Sequence, residues 1–260
     1  MTPLTVTLVQ EASTLEPGEN RDLLRNHMER AAREHPGLVV FPEVFLRDFG
    51  RAGSDISAFA EDLEGPFVTT LVDLATLHGT TVVAGMFETS GDPARPYNTL
   101  VVADSSGVRA SYRKIHLYDS FGYRESDRLT PGPLEPVTVD LAGLTVGVMT
   151  CYDLRFPELA RQLVDKGADL LVVPAAWVAG PLKVDHWRTL TIARAVENTV
   201  YVAAAAQPEP RYTGHSMLVT PRGEVVAEAR GGTEQVTGVV DPAVLEEARR
   251  ENPSLANRRL

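Results

Sequence analysis

The sequence predicts an α/β protein made of two packed sheets with helices outside. Three observations carry this reading. Helical and strand patterns alternate from the start of the chain, several strands are followed at once by an antiparallel partner, and no Gly/Ser-rich or Pro-rich linker divides the 260 residues. The first observation implies buried parallel strands, the second excludes a purely parallel sheet, and the third favours one domain.

Leu4 to Gln10 alternates β-branched and apolar residues and reads as a strand. Asn20 to His35 places Leu23, Leu24, His27, Met28, Ala31 and Ala32 at helical spacing, and Gly37 ends the pattern. Leu38-Val39-Val40-Phe41 is a short, fully apolar strand, so the chain opens as a βαβ unit. Phe67 to Leu77 is a second helix, closed by Gly79, and Thr81 to Phe87 a strand. Tyr97 to Asp104 and Val108 to Lys114 form a hairpin around Ser105-Ser106-Gly107. Leu117 to Pro136 is a long loop rich in Gly, Pro, Asp and Ser, a length that points to function.

The second half repeats the plan. Leu144 to Met149 and Asp169 to Val173 are strands, separated by a helix over Phe156 to Lys166 that Gly167 closes. A helix over Asp185 to Glu197 follows, then strands at Val200 to Ala206, His215 to Thr220, Glu224 to Ala229 and Gln235 to Val240. Asp241-Pro242 opens a final helix, with proline near its first position. A polar, basic tail runs from Glu251 to Leu260.

The formal net charge is −10, which opposes broad attraction to nucleic acid or to an anionic membrane. One cysteine leaves no intramolecular disulfide and no cysteine zinc site, and no metal or other cofactor is expected. The weakly polar run Leu170 to Leu182 contains two prolines and falls short of the roughly 18–20 residues a spanning helix needs. No secretory signal pattern opens the chain, so the cytoplasm is the expected compartment.

Four residues stand where chemistry could be built. Cys151 follows an apolar strand and precedes a helix; a tight turn there exposes a nucleophile beside backbone N–H groups able to hold an oxyanion. A lone cysteine is otherwise a small buried hydrophobe, and a thiol needs a neighbouring base or cation to react. Glu43, in Val39-Val40-Phe41-Pro42-Glu43-Val44-Phe45, has apolar flanks that would raise its pKa and suit a general base. Lys114, where a strand enters the long loop, suits an oxyanion if buried and is a surface lysine if not. Glu125 lies inside that loop, where it would orient Lys114 or the leaving amine or be an ordinary loop carboxylate. Among six histidines, His27, His35 and His78 fall on or beside surface helices, and His116, His186 and His215 are better placed as neighbours of a site. Spacing puts none of them beside Cys151. There is no His-Glu-x-x-His, no phosphate-binding glycine loop and no dinucleotide fingerprint.

Together these segments resemble the nitrilase superfamily of carbon–nitrogen hydrolases. Phe41-Pro42-Glu43 looks like the family's base motif, Tyr112-Arg113-Lys114-Ile115-His116-Leu117 its lysine motif, and Cys151-Tyr152-Asp153-Leu154-Arg155-Phe156-Pro157-Glu158 its nucleophile motif. Tyr97-Asn98-Thr99 and the segment from Asn198 to Val202 also fit, and the three catalytic motifs occur in family order across nearly the whole chain. The resemblance implies a single domain over 1–260 with a four-layer αββα sandwich. Residues 241–260 form a helix and tail available to a dimer interface, and a homodimer or larger homo-oligomer is implied. It implies amide hydrolysis through a cysteine thioester: Glu43 the base, Cys151 the nucleophile, Lys114 and the Tyr152 N–H the oxyanion donors, and Glu125 a second carboxylate. Cys151-Tyr152-Asp153 favours the amide-cleaving branch over the Cys-Trp-Glu of true nitrilases. Ala203 to Gln207 and Gly214-His215-Ser216-Met217 look closest to deaminated-glutathione amidases and omega-amidases. The chain departs from both at Trp177. Tyr152, Trp177, Arg124 and Arg155 are expected to contact a small carboxylate-bearing amide, the arginines by pairing with its carboxylate. A nitrilase, a soluble thioester-dependent acyltransferase and a catalytically silent interaction domain stand as alternatives.

Overall fold

In the computed structural model, which describes residues 2–51 and 53–259, parallel βα units lie at the centre of each half and antiparallel strands at the edges. The first half runs β1 (Leu4–Gln10), α1 (Pro17–Ala31), β2 (Leu38–Val40), α2 (Pro66–His78), β3 (Thr81–Glu88), β4 (Tyr97–Asp104) and β5 (Gly107–Arg113). A ribbon of β6 (Asp119–Ser120) and β7 (Tyr123–Arg124) follows, inside the loop expected to be functional. The second half runs β8 (Thr138–Leu141), β9 (Leu144–Val148), α3 (Pro157–Asp165), β10 (Leu170–Ala175), α4 (Lys183–Asn198), β11 (Tyr201–Ala206), β12 (Met217–Val219) and β13 (Val225–Glu228). The chain then returns as β14 (Glu234–Val240) and α5 (Pro242–Glu251).

One sheet has the order β14-β1-β2-β3-β4-β5 and the other β13-β12-β11-β10-β9-β8. β1, β2 and β3 are parallel, as are β9, β10 and β11, and every other pairing is antiparallel. The strand β14 pairs along all of β1, so the last strand closes the first sheet rather than extending the second. Local signals explain the helix limits. Pro17, Pro66, Pro157 and Pro242 stand in the first helical turns, and Asp241 accepts a hydrogen bond from Ala243 N at 2.9 Å.

Two apolar layers hold the sandwich together. Between the sheets, Val6, Val40 and Val83 pack in one cluster with Val146, Val172 and Ala203. Outside the first sheet, Leu24, Met28, Phe67 and Leu71 of α1 and α2 pack on Val39, Val82 and Val101. The helices α3 and α4 cover the second sheet through contacts with β9, β11 and β12. The result is the expected αββα order. Full burial of each Val or Leu stabilises by about 1.5–3 kcal/mol, so these layers dominate the fold. His27 corrects one expectation: it is buried on α1, where Nε2 lies 3.0 Å from Glu11 and Gln235 reaches Nδ1.

Candidate active site

The carboxyl ends of β2, β9, β10 and β11 meet at one edge of the sandwich, and β5 leaves its sheet in the same direction as β3. Such an edge is where α/β sheets leave room for a ligand. Glu43 lies just beyond β2, Cys151 just beyond β9, Ala176 after β10, Gln207 after β11 and Lys114 after β5.

Cys151 opens a one-turn 3-10 helix, Cys151–Arg155. Its φ is +46°, a left-handed conformation that costs a residue with a Cβ roughly 1–2 kcal/mol. The turn is held by Asp153, which is fully buried. One oxygen of that carboxylate accepts from Thr150 N (2.9 Å) and Tyr112 OH (2.6 Å). The other accepts from His116 N (3.1 Å) and lies 2.7 Å from His116 Nδ1. Asp153 thus ties the nucleophile turn to the segment that carries Lys114.

Glu43 is 1% exposed, with both oxygens engaged. Oε1 accepts from Asn98 Nδ2 at 2.7 Å and Lys114 Nζ at 2.9 Å, and Oε2 accepts from Ala176 N at 2.7 Å. Gln207 Nε2 donates to the Glu43 carbonyl, which fixes the backbone as well. Lys114 also donates to Glu125 at 2.9 and 3.2 Å, and Glu125 accepts from Tyr118 N at 2.5 Å. One ammonium therefore bridges two buried carboxylates, and the Cys151 thiol lines the same cavity beside them, close enough for the Glu43 charge to act on it.

The electrostatics follow from burial and that bridge. Burial opposes the Lys114 charge, but Glu125 and Glu43 outweigh it and hold the ammonium well above the ordinary lysine range. Burial pushes Glu125 up, with the Glu43 charge adding to it and Lys114 opposing. The Cys151 thiol is pushed well above its usual value by burial and then by Glu43, with Lys114 pulling the other way. The resting cysteine is therefore a thiol.

These groups form the floor of a cavity of about 460 Å3. Tyr118, Phe121, Tyr152 and Trp177 give it an aromatic wall, and Arg155 and Lys183 face into it. Trp177 is held by a hydrogen bond from Nε1 to the Lys183 carbonyl at 3.0 Å. Arg155 lies 4.9 Å from the Trp177 ring centre.

A family of carbon–nitrogen hydrolases matches residues 5–250. The chain belongs to the carbon–nitrogen hydrolase family. A deaminated glutathione amidase of Escherichia coli O157:H7 is 37% identical over 242 residues, covering 93% of this chain and 92% of its own. The omega-amidase Nit3 of Saccharomyces cerevisiae is 34% identical over 275 residues, covering 98% of this chain and 92% of its own. Its crystal structure, described as a member of branch 10 of the nitrilase superfamily, superimposes with a TM-score of 0.87 at 31% identity, covering 99% of this chain and 97% of that one. The CN-hydrolase superfamily protein XC1258 of Xanthomonas campestris gives a TM-score of 0.90 at 29% identity, covering 100% and 98%. This carbon–nitrogen hydrolase is thus an enzyme of the nitrilase superfamily, and its catalytically silent alternative falls away.

Of the residues singled out in the sequence, the fold brings Glu43, Lys114, Glu125, Cys151, Tyr152, Arg155 and Trp177 to one cavity. Arg124 is the exception: its side chain is 70% exposed, lies 3.5 Å from Asp127 and is absent from the cavity wall. It sits between Tyr123 and Glu125, which both line the cavity, so strand alternation turns it outward. The histidines stand elsewhere too. His116 stacks on Phe156 at 3.8 Å, His186 lies near Arg155 and His215 near Glu228. Sequence reading missed Asn98, Asp153 and Lys183. Asn98 and Asp153 lay within recognised motifs without a role, whereas Lys183 carried only the turn-like Gly180-Pro181 before it.

Proposed function

We propose that this hydrolase is an amidase that cleaves a short, carboxylate-bearing amide through a thioester on Cys151. The observation that supports it most is the buried Glu43 carboxylate, which accepts from Lys114 and lies with the Cys151 thiol at the floor of an apolar cavity. The Cys151 sulfur attacks the amide carbonyl as its proton passes to Glu43. Lys114 Nζ and the Tyr152 N–H hold the oxyanion. Collapse breaks the carbon–nitrogen bond, and the proton on Glu43 leaves with the amine or ammonia. Water, deprotonated by Glu43, then adds to the thioester and releases a carboxylic acid and the free thiol. Glu125 keeps Lys114 oriented throughout.

The relatives named as deaminated glutathione amidase and omega-amidase support the amide class, and Cys151-Tyr152-Asp153 favours amides over nitriles. Arg155 supports the carboxylate, since it faces the cavity over Trp177 with no carboxylate partner among the described residues. The same acyl-enzyme would serve an acyltransferase, which would need an amine acceptor for product formation. No helix among the described residues is long and apolar enough to cross a membrane. The test is amine or ammonia release across half-amides of short diacids, neutral amides and aliphatic nitriles. The reading expects the half-amides to give the highest kcat/KM; a neutral nitrile in first place would overturn the amide assignment.

A further inference from the structure

Five cations line the cavity, and three of them are committed. Lys114 is bridged by Glu43 and Glu125. Arg211 pairs with Asp48 and donates to the Gly50 carbonyl. Arg128 has no carboxylate but donates to the carbonyls of Phe49 and Ser54 and to the Tyr123 hydroxyl. The other two are Arg155 and Lys183. Arg155 has a buried Nε with no partner, and its guanidinium reaches only His186 Nδ1, at 3.4 Å. Lys183 is 8% exposed, and its ammonium gives one hydrogen bond, to Tyr118 OH at 3.2 Å. Neither has an ion-pair partner among the described residues.

Both cations look onto one indole. Arg155 Cζ lies 4.9 Å from the Trp177 ring centre and Lys183 Nζ 6.0 Å from it, while Nζ also lies 3.8 Å from the Phe121 ring. An ammonium has three donors, and here two are unused in a nearly buried place beside a second cation. Burial first and Arg155 next lower the proton affinity of Lys183. Aromatic faces soften this repulsion without cancelling it. An anion between the two cations would complete both, and both line the cavity that holds Cys151.

We propose that Lys183 is a specificity-determining residue, closing with Arg155 a two-cation clamp over Trp177 that binds the far carboxylate of the amide substrate. This rests on the carboxylate-amide reading above and adds a residue and a geometry to it. The acyl chain then lies along the aromatic wall, its amide end at Cys151 and its carboxylate between guanidinium and ammonium. The clamp selects the half-amide of a short diacid over a neutral amide of equal length.

The experiment compares succinamate with butyramide, which match in chain length and differ in the carboxylate. The quantity is the ratio of their kcat/KM values in wild type, Lys183→Met and Lys183→Arg. Methionine keeps the apolar contact with Phe121 and Trp177 while removing the charge and the hydrogen bond to Tyr118, and the Trp177 bond to the residue 183 carbonyl survives. Lys183→Met should lower the ratio about 10- to 100-fold, the worth of a charged hydrogen bond, mainly through the KM for succinamate. Lys183→Arg should hold the ratio within about fivefold, because a charge returns to the same place. A wild-type preference that survives Lys183→Met within twofold would overturn the clamp and leave the carboxylate reading standing. Equal loss of preference in the arginine and methionine variants would overturn it as well. A wild-type ratio near one would remove the carboxylate reading and the clamp together.

Discussion

At the residue scale the site is a problem of proton placement. A thiol held above its usual pKa cannot rest as thiolate, so attack and deprotonation must occur together. Glu43 is the carboxylate set beside the thiol in the cavity, and Lys114 holds it by a hydrogen bond while keeping its own proton. Glu43→Gln keeps the size and one acceptor oxygen but removes the base. Its single-turnover amine release should fall about 10²–10⁴-fold, and a wild-type rate in that variant would place the base elsewhere. Protonating Glu125 loosens Lys114, so kcat/KM falls as pH drops through the range in which Glu125 takes up its proton. Because Glu125 is raised from its ordinary 4.5, that acid limb should lie above the range of a free carboxylate. Lys114, held high, should contribute no alkaline loss below its ordinary 10.5. Rate-against-pH measurements with a non-titrating neutral amide check both limbs. Glu43, Lys114 and Cys151 were legible as candidates in the sequence because each follows a strand in its own motif. Lys183 was not legible, because its meaning depends on Arg155 and Trp177 arriving from other elements. Arg124 was misjudged for a related reason: its neighbours face the cavity, and the period of two turns it away.

At the element scale, close backbone approaches aim the side chains. A Cβ on Gly85 of β3 would lie 2.3 Å from Val44 N and 3.0 Å from Glu43 Cα, both backbone atoms. The strand β3 therefore presses directly on the turn that presents Glu43, and only glycine leaves the room. Gly85→Ala should displace Glu43. It should cost about 1–3 kcal/mol of stability, as overpacking does, and reduce kcat more than it raises KM. Calorimetry and steady-state kinetics check this, and wild-type kcat with an unchanged Tm would contradict it. Strand and helix positions were legible from periodicity, with ends shifted by a few residues. α1 begins at Pro17 rather than Asn20, and α4 at Lys183 rather than Asp185. The strand β8 was missed because Thr138–Leu141 is short and only half-buried, so it lacks an apolar pattern. The long loop was recognised as functional, but its ribbon and the 3-10 turn that buries Glu125 have no periodic signature.

At the scale of the whole molecule, two similar sheets meet face to face and deliver the proposed catalytic groups from both. Glu43 and Lys114 come from the first sheet and Cys151 from the second, so the site exists only when the halves are packed. The crossing of β14 to β1 strengthens that union, and sequence alone could not reveal it, because strand patterns do not name their partners. On α4, Val196 is 42% exposed, and Leu190 and Ile192 are only partly buried, which leaves an apolar surface for a second copy. We expect a homodimer by light scattering at micromolar concentration; a fully active monomer would contradict it. The central claim is that Cys151 carries the acyl group, and the most direct measurement is amide turnover by Cys151→Ala. The site is buried and alanine is smaller than cysteine, so the fold should survive with a Tm close to wild type. Amine release from a half-amide should then drop to background, because a methyl group cannot attack a carbonyl. Turnover within tenfold of wild type by the folded variant would contradict the account.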